Sequence, residues 1–163
     1  MTVTLGISFS HNGSVALIRN GEIEAAIQAE RLARVKRQPL FLGKNTALTK
    51  ACVDYCLNHA GLHHSDIDSV ALSTPWELKK IDDKILFECI GGTPKKYSGT
   101  FYVPHHLCHM EYIAHFGDSK PGIILIIDGS GSWEADRKKF NVAEASHKKL
   151  ISRTYPQGKE VVS

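Results

Sequence analysis

The dipeptide Asn20-Gly21, set between two short apolar segments, constrains this chain more than any other feature. Both residues tolerate positive φ, so the pair closes the tight turn whose twist suits two antiparallel strands. Its flanks predict strands over 14–18 and 22–28. A further strand over 2–8 precedes them across the polar turn Ser10-His11-Asn12-Gly13, so three antiparallel strands open the domain.

The next segment, AERLARVKR over 29–37 and ending at Gln38-Pro39, is dense in charge and reads either as a solvated helix or as an anion site built from Arg31, Arg34 and Lys36 near the Ser10–Ser14 turn, and composition does not decide between them. Its Glu30 and Arg34 form an i,i+4 pair worth a few tenths of a kcal/mol. Over 45–60, Leu48, Ala51, Cys52, Tyr55, Cys56 and His59 recur at helical spacing, with Asn45 as cap and Gly61 just past the end. A short strand follows over 68–73, ending at Thr74-Pro75. Trp76, Ile81, Ile85, Leu86 and Ile90 fit an amphipathic helix loosely, and the stretch to Ser98 reads as an excursion over a site. Another strand over 99–103 leads to Pro104, which is suited to open a helix.

That helix carries His105, His106 and His109. On a helical face, i,i+3 and i,i+4 pairs both converge, so either His105 or His106 can partner His109. Beyond it the run GIILII over 122–127 shows no alternation and predicts a strand covered on both faces. It ends in Asp128, Gly129, Ser130 and Gly131, a carboxylate beside a donor-rich turn at the carboxyl end of a strand, where α/β sheets commonly bind ligands. Imidazole with carboxylate suits a borderline divalent ion such as zinc or ferrous iron. Taken alone, HxxxH is short and common, and histidines on a helix surface are its ordinary explanation. Segments over 140–145 and 150–155 supply two more strands.

LGISFSHNGSVAL near the start and ILIIDGSGSWEAD later each place a strand, a Ser/Gly turn and a returning segment in series. Such an echo is what a duplicated α/β fold leaves, each half opening with a hairpin whose tip faces a shared cleft. The boundary expected on this reading separates a first subdomain, 1–120, from the start of a second, 121–163, which lacks room for a full copy. An incompletely covered GIILII strand also leads us to expect self-association.

Composition bounds the function. The 163 residues are 42% hydrophobic, enough for one ordinary core. A net charge of +3, spread over short runs such as Arg34–Arg37 and 137–139, does not argue for nucleic acid. No apolar run approaches the ~20 residues of a membrane span, and MTVTLGIS lacks signal-peptide features, so the expectation is a cytoplasmic protein without a membrane partner. The four cysteines contain no CxxC pair and read as reduced and mostly buried.

Together, GISFSHNGSVALIRNGEIEAAIQAERLARVK, HHLCH and IIDGSGSW resemble, in order, the amino-terminal part of the O-carbamoyltransferase family typified by nodulation protein U and the cephem carbamoyltransferase. The resemblance implies an α/β, ribonuclease H-like half of an actin-like ATPase fold, with a mixed sheet opened by three antiparallel strands and the start of a second repeat. It implies partners as well: a carboxyl-terminal half, an adenylate-forming domain and a small-molecule hydroxyl acceptor. ATP and carbamoyl phosphate are the implied co-substrates and iron or zinc the implied metal. Carried over residue by residue, His105, His109 and Asp128 match the metal ligands, and His11 the group that takes the acceptor's proton. Glu30, Arg31, Arg34 and Lys36 match the family's charged segment, Lys36 being the expected contact for carbamoyl or phosphate oxygens and Arg31 an accompanying one. Ser130 and Gly131, with Gly129 beside them, match the family's second phosphate-facing turn; the first turn, with Ser10, Asn12 and Gly13, is on its residue types either a set of N–H and hydroxyl donors aimed at an anion or an ordinary polar hairpin tip. Asn12 stands where the family commonly has an aspartate, so the tip offers an amide there. Two other readings stand beside this one: a non-catalytic metal- or nucleotide-binding module, and a relative of the tRNA threonylcarbamoyl transferases.

Overall fold

Val3, Leu5 and Ile7 alternate with Thr4, Gly6 and Ser8, and this period of two decides which side of the first strand is buried. In the computed structural model, Val3–Ser8 is strand β1, Ser14–Arg19 is β2 and Glu22–Gln28 is β3, each antiparallel to the one before. Residues 1–74, 83–93, 98–116, 123–126, 141–145, 148–152 and 160–162 are described. Asn20 and Gly21 both take positive φ, 52° and 89°, as the hairpin turn requires.

The chain then crosses over the sheet through α1 (Ala29–Ala33) and α2 (Thr46–Ala60) to β4 (Ser69–Thr74), which pairs in parallel with β1. With β5 (Gly99–Pro104) the strand order is β3-β2-β1-β4-β5. Three antiparallel strands, a helical crossover and a fourth strand parallel to the first make a mixed α/β sheet of ribonuclease H-like order, as expected.

Register aligns the apolar positions into rows. Ala25, Leu17, Leu5 and Val70 are successive partners across four strands, as are Ile27, Val15, Ile7 and Leu72. They join one buried cluster with Cys52, Val53, Cys56 and Leu57 of α2 and with Leu86 and Ile90 of α3 (Asp83–Ile90). Each large aliphatic side chain so covered contributes about 1.5–3 kcal/mol. Register shifts between Leu17 and Ile18, and Glu24, which the shift leaves over, sets its carboxylate 3.2 Å from Arg19 Nε. Arg19 also donates to the Ala60 carbonyl at the end of α2 (2.6 Å), tying the hairpin to the helix. Asp68 fastens the start of β1, its Oδ2 accepting the Val3 N–H at 2.7 Å.

Asn45 precedes α2 as expected but does not cap it with its side chain. Its amide group instead accepts the Phe41 N–H and donates to the Pro39 carbonyl, holding the preceding loop. Gly61 ends the helix in the left-handed conformation, φ 65°.

Cys52 and Cys56 are wholly buried. Burial pushes the Cys52 thiol up to about 11, and burial followed by the neighbouring Cys52 does the same for Cys56. The folded state thus holds protons that an unfolded chain releases near pH 8.5. The stability this supplies is complete below that pH and is lost as pH rises toward 11, by about 1.4 kcal/mol per pH unit for each thiol. The expected result is a denaturation midpoint that falls between pH 8.5 and 10.5 more steeply in the wild type than in a Cys52→Ala/Cys56→Ala variant.

The contacts group Met1–Ser73 with Leu78–Tyr102 as one unit and Thr74–Glu77 with Val103–Ser163 as another. In the second, His105–Phe116 forms α4, with the histidines in its first turns. There Ile123–Leu125 (β6) pairs in parallel with Glu160–Val162 (β9), and Asn141–Ala145 (β7) pairs antiparallel with Lys148–Ser152 (β8). Among the described residues no helix is long and apolar enough to cross a membrane.

Candidate functional site

The tip between β1 and β2 is built around one hydroxyl. Ser10 is buried, its Oγ accepting the Asn12 N–H at 3.3 Å and the Ser8 hydroxyl at 3.4 Å, while His11 and Asn12 stand exposed. Gly13 is clasped from both sides: its carbonyl accepts the Ala29 N–H (2.8 Å) and its N–H donates to the Gln38 carbonyl (3.1 Å). The Leu40 N–H donates to the Ser10 carbonyl at 3.1 Å. Leu40 lies so close that a Cβ on Gly13 would meet its Cγ at 2.4 Å and its backbone nitrogen at 2.5 Å.

This clasp corrects the helix expected over 29–37. Helix α1 stops at Ala33, and Arg34 and Arg37 both take positive φ, 56° and 57°. A continuous helix over those nine residues would be about 13 Å long. Ala29 and Gln38 nevertheless both bond to Gly13, so the chain between them must double back. The i,i+4 bond expected between Glu30 and Arg34 is replaced by another: Glu30 Oε2 accepts the Arg37 N–H at 2.8 Å, and Glu30 Oε1 stands 3.8 Å from Arg31 Nη2. The turn so formed carries Arg31, Arg34, Lys36 and Arg37 beside the Ser10–Gly13 tip. Exposed guanidinium and ammonium groups next to backbone and hydroxyl donors suit an anion with several oxygens.

In the second unit, His105 and His109 on α4 approach with Nε2 atoms 3.3 Å apart and rings nearly perpendicular, 81°. His106 is turned inward and buried, its ring 6.0 Å from that of His105, so the facing pair is i,i+4. Two nitrogens bound at 2.0–2.1 Å in a tetrahedral shell lie about 3.3 Å apart, so the pair fits two places on a zinc-sized ion. Among the described residues no third His, Cys, Asp or Glu gathers with them to complete a metal site. Asp128, Gly129, Ser130 and Gly131 lie outside the described residues.

A family model described as carbamoyltransferase N-terminus matches residues 3–85, which take in the tip and the basic turn. The nodulation protein NolNO of Sinorhizobium fredii (strain NBRC 101917 / NGR234) is 29% identical over 147 residues, covering 77% of this chain and 20% of that protein. An uncharacterised Methanocaldococcus jannaschii protein, MJ1051, is 31% identical over 134 residues, covering 78% of this chain and 22% of its own length. The chain thus spans about a fifth of the length of these relatives. Among solved structures, a Pseudomonas aeruginosa YeaZ shares 12% identity at a TM-score of 0.47, over all of this chain and 64% of that one.

Proposed function

The chain belongs to the family described as carbamoyltransferase N-terminus, and from that premise we propose that it serves transfer of a carbamoyl group from carbamoyl adenylate, made from carbamoyl phosphate and ATP, to a hydroxyl of a small molecule. The basic turn with Arg31 and Lys36, together with Ser10 and Asn12 of the tip, hold the phosphate or carbamoyl oxygens, while Gly13, expected among these contacts, has its N–H and carbonyl both spent in the clasp and shapes the tip instead. His11, exposed on the tip, takes the proton of the acceptor hydroxyl. The acceptor oxygen then bonds to the carbamoyl carbon, and the bond from that carbon to the adenylate phosphate oxygen breaks, releasing AMP. His105 and His109 with Asp128 hold a divalent metal, zinc or iron, and Gly129, Ser130 and Gly131 form a second anion-facing turn. When bound, such an ion supplies Lewis-acid stabilisation of developing negative charge. The protein acts in the cytoplasm on this reading, since carbamoyl phosphate and ATP are both available there.

The observation that carries the metal assignment is the 3.3 Å approach of His105 Nε2 to His109 Nε2. Replacing either histidine removes one of few ligands, so bound zinc or iron in the purified protein is expected to fall at least tenfold in His105→Ala and in His109→Ala. Undiminished metal by elemental analysis in both variants would remove this reading. A His106→Ala variant is expected to keep its metal, because that ring faces inward.

A further inference from the structure

Four cations, Arg31, Arg34, Lys36 and Arg37, share one short turn with a single acid, Glu30. Like charges crowded in this way repel, and two of them sit at positive φ, a conformation that disfavours residues other than glycine. The turn is therefore held by what closes it. Its base is a pair of hydrogen bonds at Gly13, whose carbonyl accepts the Ala29 N–H and whose N–H donates to the Gln38 carbonyl. Its upper part is held through one carboxylate: Glu30 reaches seven residues on to the Arg37 N–H at 2.8 Å, and its other oxygen faces Arg31 Nη2 at 3.8 Å. The Glu30 side chain is only 25% exposed, against 71% for Arg31, which makes it the less mobile partner.

We propose that Glu30 is a positioning residue for the anion site, fixing the basic turn so that Lys36 and its neighbours stand ready beside the Ser10–Gly13 tip before any anion arrives. This rests on the anion-binding reading of the tip given above. The ion pair with Arg31 adds little, because Arg31 is exposed and screened. What matters is the acceptor aimed at the Arg37 N–H, a role that an amide oxygen also fills. Without it the free anion-binding state must be ordered at the moment of binding, and affinity drops although no ligand contact has been removed.

The test is pyrophosphate binding by calorimetry to the purified protein, with melting temperature measured alongside. Glu30→Ala is expected to weaken binding about tenfold with the melting temperature within a few degrees of wild type. Glu30→Gln is expected to stay within about threefold of wild type, since its side-chain oxygen accepts the same N–H. Should the alanine variant fail to fold, Glu30→Asp, charged but one methylene shorter, takes its place with the same expected loss. Unchanged affinity in the alanine or aspartate variant, with Lys36→Ala losing affinity, would overturn the positioning role and leave the anion site standing. Equal losses in Glu30→Ala and Glu30→Gln would also overturn it, because charge rather than the hydrogen bond would then be at work. Absence of pyrophosphate binding by the wild type would sink the anion reading and this inference with it.

Discussion

Gly13→Ala is expected to destabilise the protein by about 3 kcal/mol, at the upper end of what overpacking costs. No positive φ is involved at this position, so the effect is steric. The new methyl would stand 2.4 Å from Leu40 Cγ and 2.5 Å from Leu40 N, and the backbone nitrogen is itself bonded to Ser10. Relief therefore requires moving the backbone, and the segment to be moved is the one that closes the basic turn. Gly21→Ala provides the contrast: a methyl there would meet nothing within 4 Å, yet φ is +89°. Conformational strain alone should then cost about 1 kcal/mol. Urea denaturation of the two variants checks the order. A Gly13→Ala midpoint equal to that of Gly21→Ala would contradict the tight clasp, while a loss of pyrophosphate binding beside the destabilisation would show that tip and turn move together.

If His11 is the general base proposed above, His11→Ala is expected to lower carbamoyl transfer by about 10²–10⁴-fold in an assembly that also supplies the carboxyl-terminal half and the adenylate-forming domain, without which these 163 residues are expected to show no turnover. His11 is exposed, and the buried Ser10 before it holds the tip through hydrogen bonds of its own. Its removal should therefore leave folding and anion binding near wild type, with the acceptor KM changed little and the loss falling on kcat. Added imidazole is expected to restore part of the rate by taking the proton in place of the lost side chain. A rate within threefold of wild type, measured as carbamoylated product, would exclude this role.

Much of the fold was legible because it rests on local rules. Asn20-Gly21 specified the hairpin through its tolerance of positive φ, and alternation at Val3, Leu5 and Ile7 marked the buried face of β1. Helical spacing of Cys52 and Cys56 with Gly61 marked α2 and its end. The segment 29–37 misled for a physical reason. Its composition favours a helix, but two hydrogen bonds to Gly13, sixteen or more residues earlier in the chain, override that preference.

The histidine helix divides in the same way. HHLCH after Pro104 announced a helix with convergent imidazoles, since i,i+3 and i,i+4 spacings both bring side chains together. It did not decide between His105 and His106. Burial of His106 settled that, turning one ring inward and leaving His105 to face His109 at 3.3 Å. The sequence by itself determined the strands of the five-stranded sheet, the turn chemistry and the residue types at the candidate site, because those follow from propensity and periodicity over a few neighbours, but it did not show β9 at Glu160–Val162 and placed β8 over 150–155 rather than Lys148–Ser152. Only the tertiary structure decided that Gly13 holds both ends of the basic turn and that Glu30 closes it, because the Gly13 bonds join backbone groups sixteen and twenty-five residues apart and the Glu30 carboxylate reaches a backbone N–H seven residues on, meetings that no helical or strand periodicity encodes.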